Sequence, residues 1–162
     1  MAKIAIVMGS DSDWRVMEQS HQVLKDFGVD ADVEVLSAHR TPEKMFEFAS
    51  NAQSNGYSVI IAGAGGAAHL PGMLASSTSL PVIGVPVSLG KLDGMDSLLS
   101  IVQMPAGVPV ATVSIDGGKN AGLLALKILA LSDAALMKKL DDYRDELKAI
   151  VEAKAKSLKS SI

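Results

Sequence analysis

The sequence contains no cysteine, few aromatic residues and no long apolar run. Because none of its 162 residues is cysteine, disulfide bonds, thiol chemistry and cysteine-ligated zinc are excluded, and the composition fits a reducing cytoplasm. Aromatic residues make up 4% of the chain, so its core has to be packed from Val, Ile, Leu, Met and Ala. The apolar run at the N-terminus stops at GSDSD (9–13), too early for a signal sequence or a membrane span. We therefore predict a cytoplasmic protein that does not enter a membrane.

Strong charge of either sign is also missing. The net charge is -3, from 15 Lys and Arg against 18 Asp and Glu, and basic residues cluster only in the last predicted helix. Nucleic-acid-binding proteins usually carry a basic patch, so we expect no nucleic-acid partner. A chain of 162 residues, 48% apolar and 20% charged, suits one globular domain, and no repeat or linker divides it. We predict a single domain over residues 1–162.

Short β-rich apolar runs alternate with amphipathic segments along the chain. The runs that predict strands are 3–8, 31–36, 57–63, 81–87 and 108–115. The segments that predict helices are 13–27, 42–54, the end of the glycine-rich 64–78, 93–104, 119–131 and 133–158. Strands that alternate with helices form a parallel sheet covered on both faces. The predicted fold class is α/β: a three-layer, doubly wound, flavodoxin-like parallel sheet, ordered 2-1-3-4-5, with an extra C-terminal helix.

Three loops follow the first three predicted strands at their carboxyl ends. They are GSDSD (9–13), SAHR (37–40) and GAGGAAHLPG (63–72). Ligands of open α/β sheets bind beyond these ends, near the switch in strand order between strands one and three. The loops are polar or glycine-rich and hold two of the chain's three histidines. We therefore expect the ligand site where they meet.

The last predicted helix carries a second apolar pattern. Leu136, Leu140, Tyr143, Leu147 and Ile150 are spaced four, three, four and three residues apart, which is an a/d seam over about two heptads. At ~25 residues the helix would be ~37 Å long, longer than the body of a small α/β domain. One interpretation is a helix folded back on its own sheet. We favour the other, in which part of it packs on a neighbouring subunit.

The segment GAGGAA (63–68) matches the G-x-G-x-x-A pattern of dinucleotide-binding proteins, so a nicotinamide or flavin enzyme is one hypothesis. That fingerprint needs an acidic residue about 20 positions later, and residues 81–88 read PVIGVPVS. It also follows the third strand rather than the first. We reject the dinucleotide hypothesis and keep one feature of the segment, a backbone whose N–H groups approach a ligand closely and can bind an anion.

The acidic GSDSD segment suggests two further interpretations. A response-regulator receiver has acidic residues here, but it also needs a phosphoacceptor aspartate at the end of strand three, where this chain reads IIAGAGG. The alternative is a turn in which Ser12 or Asp13 caps helix one. Capping alone does not explain a run of small and acidic residues at a switch point. Asp13 could instead accept hydrogen bonds from two vicinal hydroxyls of a ligand.

His39 and His69 lie on adjacent loops of the expected site. Histidine titrates near neutrality and both donates and accepts protons. Arg40 precedes Thr41-Pro42, a pair typical of a helix N-cap followed by proline, so its guanidinium and the free N–H groups of the helix suit a phosphate. These residues predict a cofactor-free acid–base enzyme for a small phosphorylated metabolite. A nucleotide-binding or signalling module of the same fold is the alternative.

A metal site has little support in the sequence. No His-x-His or His-x-x-x-His pair exists, and a mixed site from Asp11, Asp13 and His39 stays open. The third histidine, His21, lies between apolar positions of helix one, where we predict a surface or partly packed side chain.

Four segments, in register and in order, resemble one family. MGSDSDW (8–14), SAHRTP (37–42), GAGGAAHLPG (63–72) and DSLLSIVQMPAGVPVAT (96–112) are similar to the bacterial class I N5-carboxyaminoimidazole ribonucleotide mutases of purine synthesis. The resemblance runs from about residue 3 to about residue 131. Related class II enzymes carboxylate aminoimidazole ribonucleotide directly with CO2. They typically have lysine after the histidine and lack the AAHLPG sequence, so this chain resembles class I.

The resemblance implies a reaction and a set of roles. A carboxylate would move from the exocyclic nitrogen of the imidazole ribonucleotide to ring carbon C4, with no cofactor, ATP or metal. His39 would be the general acid–base, and the glycine-rich loop with His69 would hold the carboxylate or CO2 in a dry pocket. The substrate-binding residues implied are Ser10, Ser12 and Asp13, with Asp13 on the ribose, Ser37 and Arg40 at the phosphate, and Ala64, Gly65 and Leu70. A homo-octamer with active sites near subunit boundaries is implied as well.

One segment departs from the family. Members usually carry a longer Gly-Lys-Ala-Gly-type loop before the penultimate helix, whereas this chain reads SIDGGKN (114–120), with Asp116 and a shorter connection. We expect this loop to take part in subunit packing.

Overall fold

The structure, a computed structural model, describes residues 3–162, so the first two residues of the predicted domain lie outside it. One parallel sheet has the strand order β2-β1-β3-β4-β5, which confirms the predicted doubly wound fold. Its strands are β1 Lys3–Met8, β2 Ala31–Val35, β3 Tyr57–Gly65, β4 Val82–Val87 and β5 Ala111–Thr112. The helices are α1 Trp14–Asp26, α2 Pro42–Asn51, α3 Leu70–Ala75, α4 Met95–Val102, α5 Gly118–Ala130 and α6 Ala134–Lys159. Short 3-10 turns, Asp11–Asp13 and Leu92–Gly94, precede α1 and α4.

The central strands send alternate side chains into two apolar layers. Ile4 and Ile6 of β1 pack with α1, α5 and the first turns of α6 on one face of the sheet. Ala5 and Val7 pack with α2, α3 and α4 on the other face. All four side chains are fully buried. Burial on both faces explains why these strands appear in the sequence as continuous apolar runs, and it fixes their carboxyl ends as the rim of the site.

Strand β5 is much shorter than the predicted 108–115. Its neighbour β4 contains Pro86, whose carbonyl accepts a hydrogen bond from the N–H of Asp116 at 2.8 Å. Proline has no N–H to donate in return, so a regular ladder cannot continue past this point. The predicted strand was therefore too long, because its apolar pattern says nothing about the hydrogen-bonding capacity of the neighbouring strand.

The apolar seam of α6 is buried in its first part and exposed in its second. Asp133 caps the helix by accepting the N–H of Leu136 at 3.0 Å, and Leu136 and Leu140 are buried against the body of the subunit. Further along, Leu147 is 45% exposed and Ile150 is 49% exposed. The first half thus folds back on its own subunit, and packing of the second half on a neighbour stays a prediction. Across residues 3–162, no helix is long and apolar enough to cross a membrane.

Helix α1 buries the apolar face predicted from its sequence, and Gly28, at φ +75°, follows its last turn in the left-handed conformation. The partly packed position predicted for His21 is confirmed, because its ring lies beside that of Trp14 with the centroids 5.8 Å apart. This histidine belongs to the outer surface of α1 and is not part of the cavity described below.

Candidate active site

The three loops predicted to form the site meet in a cavity of about 380 Å³ at the carboxyl ends of β1, β2 and β3. The predicted residues that line it are Ser10, Ser12, Asp13, Ser37, His39, Arg40, Ala64, Gly65, His69 and Leu70. The lining residues that sequence reasoning missed are Gly9, Ala38, Ala67 and Leu89. Leu89 follows β4 and lies outside the three predicted loops. The structure therefore brings the whole predicted set together and adds a fourth wall.

Ser10 and Asp13 shape the loop after β1. The Oγ atom of Ser10 accepts the N–H of Ser12 at 3.4 Å, and the Asp13 carboxylate accepts the N–H of Ser10 at 3.2 Å. The alternative considered from the sequence, in which the side chain of Ser12 or Asp13 caps α1, does not hold in the structure. Asp13 occupies the N-cap position, but its side chain is turned back to Ser10 and makes no capping bond to α1. Asp13 is only 4% exposed, and this burial raises the pKa of its carboxyl above the usual value.

The raised pKa of Asp13 gives a stability prediction with a definite sign. A carboxyl group with a higher pKa in the folded than in the unfolded state lowers the free energy of unfolding as pH rises between the two values. Asp13→Asn removes this penalty, and the amide oxygen can still accept the N–H of Ser10. We expect the variant to melt above the wild type at neutral pH.

Calorimetry across a pH series checks the Asp13→Asn prediction. The gap in Tm between variant and wild type should narrow as pH falls toward the unfolded-state pKa, since wild-type Asp13 then becomes neutral in both states. A variant that melts below the wild type at neutral pH would contradict the burial argument.

Arg40 is held at the cavity by contacts with two loops. Its backbone N–H and Nε both donate to the Oγ atom of Ser37 at 3.2 Å, and Nη2 donates to the carbonyl of Gly9 at 3.4 Å. Thr41 occupies the predicted N-cap position of α2, but its hydroxyl bonds the backbone N–H and carbonyl of Ser37 instead of capping the helix. The first N–H groups of α2 thus have no side-chain cap, and with the other Arg40 donors they can bind an anion.

His39 and His69 come into direct contact. The Nε2 atom of His39 lies 2.7 Å from the Nδ1 atom of His69, and the two rings are nearly perpendicular, at 81°. One of these nitrogens has to donate and the other has to accept, so the two atoms share one proton. The sequence predicted adjacent loops for the two residues, and the structure adds a path along which a proton can pass between their rings.

The glycine-rich loop has positions at which only glycine fits. A Cβ atom at Gly63 would collide with Sδ of Met17, and one at Gly65 would lie 2.6 Å from Cγ of Leu89. Gly66 turns the chain in the left-handed region, at φ +65°. Helix α3 begins only at Leu70, so no helix opens directly at these glycines as the dinucleotide fingerprint requires. The glycines serve close packing and a tight turn beside the cavity.

The wall that carries Leu89 is braced by Asp116. The Asp116 carboxylate accepts the N–H of Ser88 at 2.9 Å and its hydroxyl at 2.6 Å. The Arg15 guanidinium donates to the carbonyl of Ser88 and lies 3.8 Å from Asp116. The segment 114–120, which we expected in subunit packing, therefore has a role within the chain, and its contacts between subunits stay a prediction. The signal in the sequence was Asp116, an acidic residue in the loop that departs from the family pattern.

Across residues 3–162, no three His, Cys, Asp or Glu side chains are grouped so that they could hold a metal ion. The mixed site considered from the sequence is not assembled. Its three side chains face other partners, since Asp11 accepts from the Ser10 hydroxyl at 3.1 Å, Asp13 accepts the Ser10 N–H and His39 contacts His69.

The segment from β1 to the middle of α6 matches a known family. A sequence model described as AIR carboxylase matches residues 3–149. The chain belongs to the AIR carboxylase family. The resemblance drawn from the four motifs is confirmed, and the match extends beyond residue 131, where the motif-based resemblance ended, into α6.

Individual members of the AIR carboxylase family are close to this chain in sequence. A Mycobacterium leprae protein named N5-carboxyaminoimidazole ribonucleotide mutase is 60% identical over 152 residues, covering 94% of this chain and 89% of that protein. A Thermotoga maritima protein of the same name is 56% identical over 158 residues, covering 98% and 92%. The crystal structure of Treponema denticola PurE is similar in fold, with a TM-score of 0.86 at 28% identity over 96% of this chain and 98% of that one.

Proposed function

We propose that this member of the AIR carboxylase family is a cytoplasmic N5-carboxyaminoimidazole ribonucleotide mutase of purine synthesis. Its relatives at 56% and 60% identity carry that name. The structural observation that carries the proposal is the His39–His69 contact, which lies in one cavity with Arg40 and Asp13. An acid–base pair, a guanidinium and a carboxylate are the groups that a phosphorylated ribonucleotide with a migrating carboxylate requires.

We propose one orientation of the substrate in the cavity. Arg40 and Ser37, together with the uncapped start of α2, bind the phosphate. Ser10, Ser12 and Asp13 contact the ribose, whose vicinal hydroxyls donate to the Asp13 carboxylate. The imidazole then lies next to His39 and His69, against Ala64, Gly65 and Leu70. A volume of about 380 Å³ falls within the range of small-molecule sites.

The reaction begins with release of CO2. Protonated His39 donates its proton to the exocyclic nitrogen as the bond from that nitrogen to the carboxylate carbon breaks, and the bonding electrons stay on nitrogen. CO2 is held beside the glycine-rich loop while the ring remains in place.

The second half of the reaction forms the new carbon–carbon bond. Ring carbon C4 attacks the retained CO2, and His39 then removes the C4 proton, which restores the aromatic ring. The proton from C4 replaces the one that His39 gave to the nitrogen, and His69 accepts or donates the shared proton as the charge on His39 changes. Every electron pair and proton is accounted for, so the cycle consumes no co-reactant.

A second candidate is direct carboxylation of aminoimidazole ribonucleotide, because the family description itself names a carboxylase. The two functions differ in starting material, and one assay separates them. The purified protein is given the N5-carboxylated substrate without added bicarbonate, or aminoimidazole ribonucleotide with a high concentration of bicarbonate. We expect the C4-carboxylated isomer in the first arm. Product in the second arm alone would assign direct carboxylation, and ligand binding with no product in either arm would indicate a binding module.

The uncovered half of α6 supports contact between subunits, and we propose the homo-octamer that the family resemblance implies, with active sites near subunit boundaries. Leu147 and Ile150 expose about half of their surface, and a neighbouring subunit would cover them. Sedimentation velocity at micromolar concentration tests this proposal. A monomer there would contradict it.

A further inference from the structure

Ser97 is a buried polar residue next to the candidate active site, and the proposed mechanism does not use it. Its side chain, in the first turn of α4, is 0% exposed. The Oγ atom accepts the N–H of Gly66 at 2.8 Å and donates to the carbonyl of Val87 at 2.7 Å. Burial of a hydroxyl without hydrogen-bond partners would cost free energy. The two backbone groups therefore satisfy this hydroxyl and fix its position.

The two partners of Ser97 belong to different walls of the cavity. Gly66 forms the left-handed turn of the glycine-rich loop, between the lining residues Gly65 and Ala67. Val87 ends β4, two residues before the lining residue Leu89. Leu89 in turn packs on the bare Cα atom of Gly65, since a Cβ atom there would lie 2.6 Å from its Cγ. Gly65 and Val87 are the last pair of the β3–β4 ladder, and beyond that pair one hydroxyl joins the glycine-rich loop to the wall after β4.

We infer that Ser97 is a positioning residue that keeps these two walls closed around the released CO2. The inference rests on the proposed mutase function and goes beyond it, because it assigns CO2 retention to a residue outside the cavity lining. Without the hydroxyl, Gly66 N–H and Val87 C=O lose their shared partner, and the glycine-rich loop beyond the Gly65–Val87 pair is free to move away from the wall after β4. Loss of CO2 at that stage leaves aminoimidazole ribonucleotide, in which the exocyclic nitrogen has kept the proton donated by His39.

Ser97→Ala tests this role through the distribution of products. The variant and the wild type are each given the N5-carboxylated substrate, and aminoimidazole ribonucleotide and the C4 isomer are both quantified, after subtraction of spontaneous decay without enzyme. We expect the ratio of decarboxylated product to C4 isomer to rise about tenfold or more in Ser97→Ala, the scale of effect that a small displacement of reacting groups produces. Added bicarbonate should restore formation of the C4 isomer in the variant, because it resupplies the lost CO2.

Ser20→Ala is the matched control. Ser20 is also 0% exposed, and its Oγ donates to the carbonyl of Gly118 at 2.6 Å, between α1 and α5 and outside the cavity lining. The same substitution there should lower the melting temperature and leave the product ratio at the wild-type value. If Ser97→Ala gives the same ratio as Ser20→Ala while the wild type isomerises its substrate, the inference about Ser97 is wrong. If the wild type forms no C4 isomer, the proposed function itself fails.

A second measurement needs no folded variant. The Gly66 amide of the wild type should exchange with solvent deuterium as slowly as the buried amides of β3, because Ser97 holds it in a hydrogen bond. If the Gly66 amide exchanged as fast as that of Gly90, an exposed residue, Ser97 would not be the residue that holds this loop in place.

Discussion

Asn in place of His39 is expected to lower kcat by roughly a hundred- to ten-thousandfold, the range in which a positioned acid–base group contributes to turnover. Asparagine is polar and of similar size, but it cannot exchange a proton with the substrate or with His69. Binding of the nucleotide should change little, because in the proposed complex Arg40 and Ser37 hold the phosphate independently of the ring. Steady-state kinetics, with calorimetric titration of a substrate analogue, separate the two quantities.

His21→Asn provides the matched control for His39→Asn. His21 lies on α1 beside Trp14, outside the cavity, so its replacement should leave kcat unchanged. If His39→Asn retains near-normal turnover, His39 is not the acid–base residue, whatever the variant does to binding.

Replacement of Arg40 by Met is expected to raise KM roughly ten- to hundredfold, which corresponds to the loss of one charge-assisted hydrogen-bonded contact to the phosphate. The Arg40 guanidinium is held by Ser37 and by the Gly9 carbonyl, so it is oriented before the substrate binds. Arg40→Lys should recover part of the affinity, since an ammonium keeps the charge but cannot reproduce the planar fork. The substrate concentration dependence of initial rates measures both variants.

Arg144→Met is the control for the charge change. Arg144 lies on the exposed face of α6 in an ion pair with Asp141, 3.2 Å away, and its removal changes the net charge in the same way. An equal rise in KM for Arg40→Met and Arg144→Met would mean that Arg40 acts only through the general field of the protein and does not bind the phosphate.

The sheet and the site could be predicted from the sequence for connected reasons. Strands buried on both faces leave continuous apolar runs, and the switch between β1 and β3 then follows from the strand order. Once the strands were assigned, the rule that ligands bind at their carboxyl ends pointed to the loops that contain Ser10, His39 and His69. Each of these loops is continuous in sequence, so local motifs and their resemblance to the family were enough to find ten of the fourteen residues that line the cavity.

The features that were missed depend on contacts between distant residues. Ser97 bonds Gly66 across 31 positions, and Asp116 bonds Ser88 across 28, so no local pattern reveals either bond. The alternative in which Asp13 caps α1 fails for a local reason. A capping box joins Ser10 to Asp13 around a 3-10 turn, so the side chain that sits at the start of α1 faces away from it. The contact between His39 and His69 also joins separate loops.

The most direct test of the proposed function follows the carboxyl carbon itself. The N5-carboxylated substrate is labelled with carbon-13 in that group and converted in a single turnover, in the presence of excess unlabelled bicarbonate, with carbon NMR as the readout. If the cavity retains CO2 between the two steps, the label appears at C4 of the product. Label found in the bicarbonate pool, with unlabelled carbon at C4, would contradict the account, because the protein would then be carboxylating the ribonucleotide from solution.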